Sequence, residues 1–556
     1  MRRKRAARGL VPHGRLVVLG CSVIVVTSAL AARATHLQAL DGARLAEIAR
    51  RQAETTLRLG SLRAEVRDRN GTLLAVSASV ESVAASPREI RDPAHTASVL
   101  ARVLRRPPAE LQARLAGSRG FVWIKRWATP GEVARLRELD LEGVHLHPER
   151  RRFYPNGQRA AAYLGFTDRD GRGLSGLELV FDRELRGSGA ALPARRDASG
   201  KKLLSVDSAA ERRPGRPLAV ALDARLQHFA ERALGRAVER SGARRGTLIA
   251  LDPRTGEVLV TAEVPAFDPN RFWLADPSRF RARAFVDAFE PGSTLKPFTI
   301  AIALEEGVIQ PDDEFDCEDG VWRVLDRNIH DFRPHGVLSV REILRVSSNI
   351  GAAKIADRLG SAKLVSGLQR FGFGARTKSG FPGEASGVLR SLRPQQAVER
   401  ANLAFGQGIS VTALQLASAA AVLANGGWRI SPRLARQERP GAVRERVISE
   451  RTAKLVMEML RDAVARGTGR AASLPHHAVA GKTGTAQKVV DGSYSRERTV
   501  VSFLGIVPAL NPRLVVVVVL DEPEQAYTGG AVAAPVFREV ASFAVEQLGV
   551  PVEGAE

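Results

Sequence analysis

Apolar and polar positions along the chain fall into three textures. The first is an uncharged apolar run from Leu16 to Ala32, bounded by Arg15 and Arg33 and preceded by Arg2, Arg3, Lys4, Arg5 and Arg8. As a helix it is about 25 Å long at 1.5 Å per residue, slightly short for a bilayer, and its flanking arginines can snorkel to make up the difference. Positive charge ahead of the run places the N-terminus in the cytoplasm and everything after Arg33 outside. A cleaved signal peptide is the alternative, because Ala29-Leu30-Ala31 resembles a cleavage site. The run is longer than a usual signal core, which favours an uncleaved anchor. Apolar residues then recur at helical spacing (Leu37, Leu40, Leu45, Ile48), predicting a membrane-proximal helix over 34–60.

The second texture, 61–216, is mixed, with short elements and many arginines. Glu65 to Val76 reads as a strand, an Asn70-Gly71 turn and a second strand. The glycine-rich stretch Gly171 to Glu178 lacks the Gly-Lys-Ser/Thr ending of a phosphate loop and reads as a tight structural turn. Ala190 to Arg216 is polar, carries Pro193 and Pro214, and reads as a loop approaching the next domain.

The third texture begins at Leu218 and runs to about residue 550. Asp223 to Val238 has the periodicity of an amphipathic helix, and two strands, Gly246–Leu251 and Glu257–Thr261, flank the turn Pro253-Arg254-Thr255-Gly256. Near the end, Thr499–Val507 and Leu514–Leu520 are two apolar strands, and Val515 to Val519 has no polar face. Such a strand is buried on both sides. The expectation is an α+β multidomain chain: a basic arm (1–15), a transmembrane anchor (16–33), a membrane-proximal helix (34–60), a pedestal domain (61–216) and a domain with a central sheet covered by helices on both faces (217–550).

The length of 556 residues exceeds one compact core, in keeping with two or three domains. The formal charge, +23, is spread along the chain mostly as arginine, and aromatics make up only 5%. Few stacking platforms and no basic block interleaved with aromatics argue against a nucleic-acid partner. The two cysteines, Cys21 in the apolar run and Cys317 in an acidic loop read as solvated, imply no disulfide framework. The sequence offers no metal-ligand cluster and no cofactor motif.

Chemistry concentrates in Glu290-Pro291-Gly292-Ser293-Thr294-Leu295-Lys296-Pro297. Pro297 is tolerated only in the first turn of a helix, so a helix begins near Ser293, and Lys296 shares its face. Unpaired N–H groups at a helix start suit an oxyanion beside a serine, and a neighbouring amine can take the hydroxyl proton. Ser-x-x-Lys alone is common by chance. Ser347-Ser348-Asn349 and Lys482-Thr483-Gly484-Thr485 follow in order, and this ordered set is the signature of serine enzymes acting on D-alanyl peptides and β-lactams. With a lysine base supplied, His330 and His335 read as bystanders.

These motifs, with Asp68-Arg69-Asn70-Gly71, Arg152-Phe153-Tyr154-Pro155, Gly176-Leu177-Glu178, Phe405-Gly406-Gln407-Gly408, Gly467-Thr468-Gly469 and Tyr527-Thr528-Gly529-Gly530, make the chain resemble a class B penicillin-binding protein. Within that family it is similar to the cell-division branch of the peptidoglycan D,D-transpeptidases. It departs from the family at Arg63-Ala64, where Arg-Gly is common. The resemblance implies a penicillin-binding, β-lactamase-like catalytic domain on a dimerisation-type pedestal, at the cytoplasmic membrane. It implies Ser293 as nucleophile, Lys296 as base, Ser347 as proton relay, and Asn349 as holder of the peptide amide and Lys296. Lys482, Thr483 and Thr485 would bind the substrate carboxylate, Gly484 would leave room for substrate, and the N–H groups of Ser293 and Thr485 would form the oxyanion hole. It further implies a stem pentapeptide ending in D-Ala-D-Ala as substrate, β-lactams as covalent inhibitors, and a membrane glycosyltransferase and other division proteins as partners. A membrane-anchored β-lactamase or D,D-carboxypeptidase carries the same motifs, and a β-lactam sensor or a division scaffold is the non-enzymatic alternative.

Overall fold

The computed structural model describes residues 13–59, 63–117, 119–187, 190–196, 202–204, 214–436, 444–490, 492–524 and 528–552. Most of the basic arm and Tyr527 lie outside the described residues. The chain divides into two compact units. One is drawn from Met1–Leu62 and Gly187–Pro214, the other from Arg63–Arg186 and Gly215–Glu556.

In the first unit a helix spans His13–Thr35, passes through a π turn at His36–Leu40 and resumes over Gly42–Ala53. The stretch Gly14–Leu40 is long and apolar enough to cross a membrane. Its large side chains, Leu16 to Leu30, stand more than half exposed, a continuous apolar band that suits contact with lipid. The helix expected to reach residue 60 ends earlier. Glu54–Leu59 is a strand, consistent with the β-branched pair Thr55-Thr56, and it pairs with Ala190–Arg196, which in turn pairs with Lys202–Leu204. The loop expected after Ala190 is thus partly strand. Short polar strands lack the apolar alternation that announces them, and Pro193 masks this one further.

The second unit contains the pedestal and the sheet domain. In the pedestal, β1 (Leu73–Ala85) is flanked antiparallel by β2 (Val122–Ala128) and β3 (Val144–Phe153). The expected hairpin forms between Val66–Arg67 and β1. Its Asp68 accepts from Asn70 N and Thr72 N with one oxygen and from Ala224 N with the other, tying the turn to the first helix of the next domain. Arg63, Arg152 and Glu178, taken from three of the resemblance motifs, meet as a buried ion triad. Each guanidinium Nε donates to a separate Glu178 oxygen at 2.6 Å. Paired charges of this kind are costly to break singly, so they fix how the pedestal segments meet.

From Ala224 the chain runs through α1 (Ala224–Ser241), β4 (Arg245–Leu251), β5 (Val258–Val264), α2 (Lys296–Glu305), α3 (Val340–Val346), α4 (Asn349–Leu359), α5 (Ala413–Ala424), β6 (Ala480–Val490), β7 (Ser493–Val507), β8 (Leu514–Asp521) and α6 (Gly529–Gln547). The five strands form an antiparallel sheet in the order β5-β4-β8-β7-β6. Alternation decides which face each side chain joins. Val515, Val517 and Val519 of β8 join the core that contains α5, while Val516, Val518 and Leu520 join the core with α1 and α6. The central strand is buried on both sides, as its unbroken valine run requires. The Lys482-Thr483-Gly484-Thr485 motif sits at the opposite extreme, on the edge strand β6.

Candidate active site

Ser293 lies in a 3-10 turn, Gly292–Leu295, that feeds α2, with Pro297 in the helix's first turn. Three residues per turn eclipses positions i and i+3, so Ser293 and Lys296 share one side. Gly292 holds φ +54, and a Cβ there would come within 2.8 Å of Thr485 O. A Cβ on Gly406 would meet Gly292 O at 2.1 Å. The Ser293 turn is therefore wedged between β6 and the Phe405-Gly406 loop by two close backbone approaches that only glycine permits.

Ser347 ends α3 in the left-handed conformation (φ +68), and Ser348 then caps α4 by accepting from Gly351 N at 2.9 Å. This break between two helices aims Ser347 and Asn349 at the lysine. Lys296 Nζ, fully buried, reaches Ser347 O at 2.5 Å, Asn349 Oδ1 at 2.8 Å and Ser347 Oγ at 3.2 Å. Lys482 Nζ, also fully buried, donates to Ser347 Oγ at 2.8 Å and to Thr483 O at 3.2 Å. Burial, then the charge of Lys482, hold the Lys296 amine well below its usual value, and Asp331 opposes them. Burial alone brings Lys482 down to about 7. A neutral Lys296 keeps two hydrogens for Ser347 O and Asn349 Oδ1, leaving its lone pair to accept a hydroxyl proton.

The structure thus brings Lys296, Ser347, Asn349 and Lys482 into one hydrogen-bonded cluster beside the Ser293 turn. Thr483 and Thr485 follow on β6, where Lys482 Nζ donates to Thr483 Oγ1 at 3.5 Å. Thr483 Oγ1 lies 2.9 Å from Thr468 Oγ1, and Thr485, exposed, accepts from Gly529 N at 3.3 Å. The segments Gly467-Thr468-Gly469 and Thr528-Gly529-Gly530 therefore frame the strand. As the edge of its sheet, β6 has one side free of strand partners among the described residues, where an extended ligand can add main-chain hydrogen bonds. The expected role of Gly484 needs correcting. A Cβ there would strike Ser502 Oγ at 2.4 Å, Pro291 O at 2.8 Å and Thr294 Cγ2 at 2.8 Å. Its missing side chain makes room for the Ser293 turn of the protein itself.

Sequence reasoning missed Asp331. Its carboxylate accepts from Ser348 Oγ at 2.6 Å, from Ile350 N at 3.0 Å and from Asn349 N, fixing the start of α4 and with it the serine–asparagine motif. A single acid after a buried isoleucine and an exposed histidine carries no periodic signal. Only its contacts some 17–19 residues away reveal it. His330 contributes a backbone carbonyl to Asn349 Nδ2 at 2.8 Å, and its ring is exposed. Cys317, expected in a solvated loop, is fully buried against Ile350, Ala353 and Phe405, with burial pushing its thiol up.

Residues 246–542 match the family model of the penicillin binding protein transpeptidase domain, and residues 59–220 match that of the penicillin-binding protein dimerisation domain. A probable peptidoglycan D,D-transpeptidase, PenA, of Neisseria meningitidis is 34% identical, covering 98% of this chain and 95% of its own length. The peptidoglycan D,D-transpeptidase FtsI of Escherichia coli K12 is 33% identical over 94% of this chain and 89% of its own. Among solved structures, penicillin binding protein 3 of Mycobacterium tuberculosis in complex with aztreonam superposes with a TM-score of 0.70 at 28% identity, covering 89% of this chain and 98% of that one.

Proposed function

The chain belongs to the class B penicillin-binding proteins, and from that premise we propose that it crosslinks peptidoglycan stem peptides at the division septum and is acylated by β-lactams. The observation that carries this reading is the convergence of Lys296 and Lys482 on Ser347 Oγ, with Asn349 Oδ1 accepting from Lys296, beside the Ser293 turn.

Ser293 Oγ attacks the carbonyl of the penultimate D-alanine while the neutral Lys296 amine takes its proton. The tetrahedral oxyanion is held by the N–H groups of Ser293 and Thr485. Collapse breaks the peptide bond, and the departing D-alanine amine takes a proton relayed through Ser347. Lys482, charged, holds the substrate carboxylate with Thr483 and Thr485, and Asn349 steadies both the peptide amide and Lys296. An amine of a neighbouring stem then attacks the acyl-enzyme, forming the crosslink and freeing Ser293. The attacking amine's proton passes through Lys296 to Ser293 Oγ as the ester bond breaks, so the lysine is neutral again after each half-reaction and the serine regains its hydroxyl after the second. Asp331, the carboxylate that Lys296 senses, is committed to three donors and is poorly placed to activate water, which favours transfer to an amine over hydrolysis.

The reading extends to the architecture. A pedestal over 61–216 and a transpeptidase domain over 217–550 are supported by the two family-model matches. The apolar N-terminal helix anchors the protein in the membrane, with its N-terminus in the cytoplasm and the catalytic domain outside. A membrane glycosyltransferase that supplies new strands and other division proteins are its partners. Labelling with a reporter penicillin, followed by mapping of the modified residue, tests the assignment.

A further inference from the structure

The pedestal carries a cleft of about 590 Å3 that the acyl-transfer chemistry leaves unused. Its walls include Trp123, Arg126, Trp127, Arg151 and Arg169, with Trp273 contributed by the catalytic domain, and no carboxylate lines it. Trp127 is held at φ +59, a left-handed conformation that bulky residues seldom adopt and that the surroundings must enforce. Its indole is flanked by the guanidinium groups of Arg151 at 5.1 Å and Arg169 at 6.0 Å, and its Nε1 is buried without a hydrogen-bond partner. Among the described residues neither arginine makes an ion pair. Arg151 Nη2 reaches only Asn270 O, at 3.4 Å. Asn270 in turn clasps Tyr154 by two hydrogen bonds of 2.9 Å, which ties the cleft to both domains. Trp273 stands 54% exposed at the mouth.

Indole faces offer flat apolar platforms with a polar edge, and an unpaired guanidinium offers a planar fork for a carboxylate. A cleft of this volume is the size of a site for a few sugar rings or a small molecule, and its concavity differs from the flatter form of a protein interface. We propose that it is a second binding site for peptidoglycan: a saccharide strand stacks on the indoles while carboxylates of its peptide substituents meet Arg151 and Arg169. This rests on the reading of the chain as a peptidoglycan enzyme. It would hold a polymer strand on the pedestal while its neighbour is crosslinked above.

The test uses the full chain in detergent, with Ser293 first acylated by penicillin so that the catalytic groove is closed. Soluble glycan-strand fragments bearing stem peptides are then titrated against it, with tryptophan fluorescence as the readout. Saturable binding is expected, weakened about tenfold or more by Arg151→Gln with Arg169→Gln, while the rate of penicillin acylation stays at wild type. Absence of binding, or equal binding by the double variant, overturns the proposal. So does polyglutamate binding at least as tightly as the fragments, which would assign the cleft to an acidic protein partner. Failure to acylate at all would instead strike the acyl-transfer reading, so the two failures are distinguishable.

Discussion

Lys296 and Lys482 share one hydroxyl: Ser347 Oγ lies 3.2 Å from the first Nζ and 2.8 Å from the second. Two ammonium groups in a buried site repel, so one is favoured neutral and the other charged. Lys296 has the stronger set of causes lowering it, and Lys482 stands at about 7. The second-order rate of penicillin acylation should therefore fall as pH drops through the lowered Lys296 value, because the base becomes protonated. It should also fall as pH rises through about 7, because Lys482 loses the charge that binds the ligand carboxylate. Stopped-flow acylation against pH measures both limbs, and an acylating ligand without a carboxylate should lose the alkaline one.

Lys482→Met should stabilise the fold while removing carboxylate recognition. The native amine titrates near 7 and the unfolded one near its ordinary value, about 10.4. Between those values the unfolded chain binds more protons, so wild-type stability rises with pH across that window. Below about pH 7 the charged, buried amine is at its most destabilising. Exchange for an apolar side chain of similar shape should add about 1 kcal/mol or more at neutral pH and flatten the rise. Chemical denaturation at several pH values tests this.

Asp331→Asn should slow acylation and destabilise the protein. It weakens the acceptor for Ser348 Oγ, Asn349 N and Ile350 N, costing about 1–3 kcal/mol, and it loosens Asn349 against Lys296. The expected signature is a loss in the acylation rate of about tenfold or more with ligand affinity largely kept, because Lys482, Thr483 and Thr485 are untouched. Equal loss in affinity would point to general unfolding of the site.

The membrane orientation can be read directly. A reporter active only outside the cytoplasm should be active when fused after about residue 60, since positive charge clusters before Leu16. A reporter active only in the cytoplasm, or a mature chain starting near Ala32, would overturn the anchor.

The sequence carried the chemistry further than the packing. The meeting of Lys296, Ser347, Asn349 and Lys482 beside the Ser293 turn was legible because the three motifs hold fixed residue types at fixed local spacing. The two-sided burial of β8 was legible because five valines in a row leave no solvent face. Asp331 was not, because its role is to receive backbone N–H groups brought to it by the fold. Gly484 was misread for a related reason: whether an absent side chain makes room for a ligand or for the protein depends on which segment lies above it, and that is Pro291 to Thr294. The strands at Glu54–Leu59 and Ala190–Arg196 escaped because they are paired across more than a hundred residues and lack apolar alternation.

The most direct measurement is the intact mass of the full chain followed over time after mixing with penicillin. The account predicts a single penicilloyl adduct on Ser293 that persists for minutes or longer, which corresponds to a deacylation barrier of about 20 kcal/mol or above. Ser293→Ala should lose the adduct and keep the wild-type melting transition. Turnover of many equivalents of drug without a lasting adduct, or an adduct on any other residue, would contradict it.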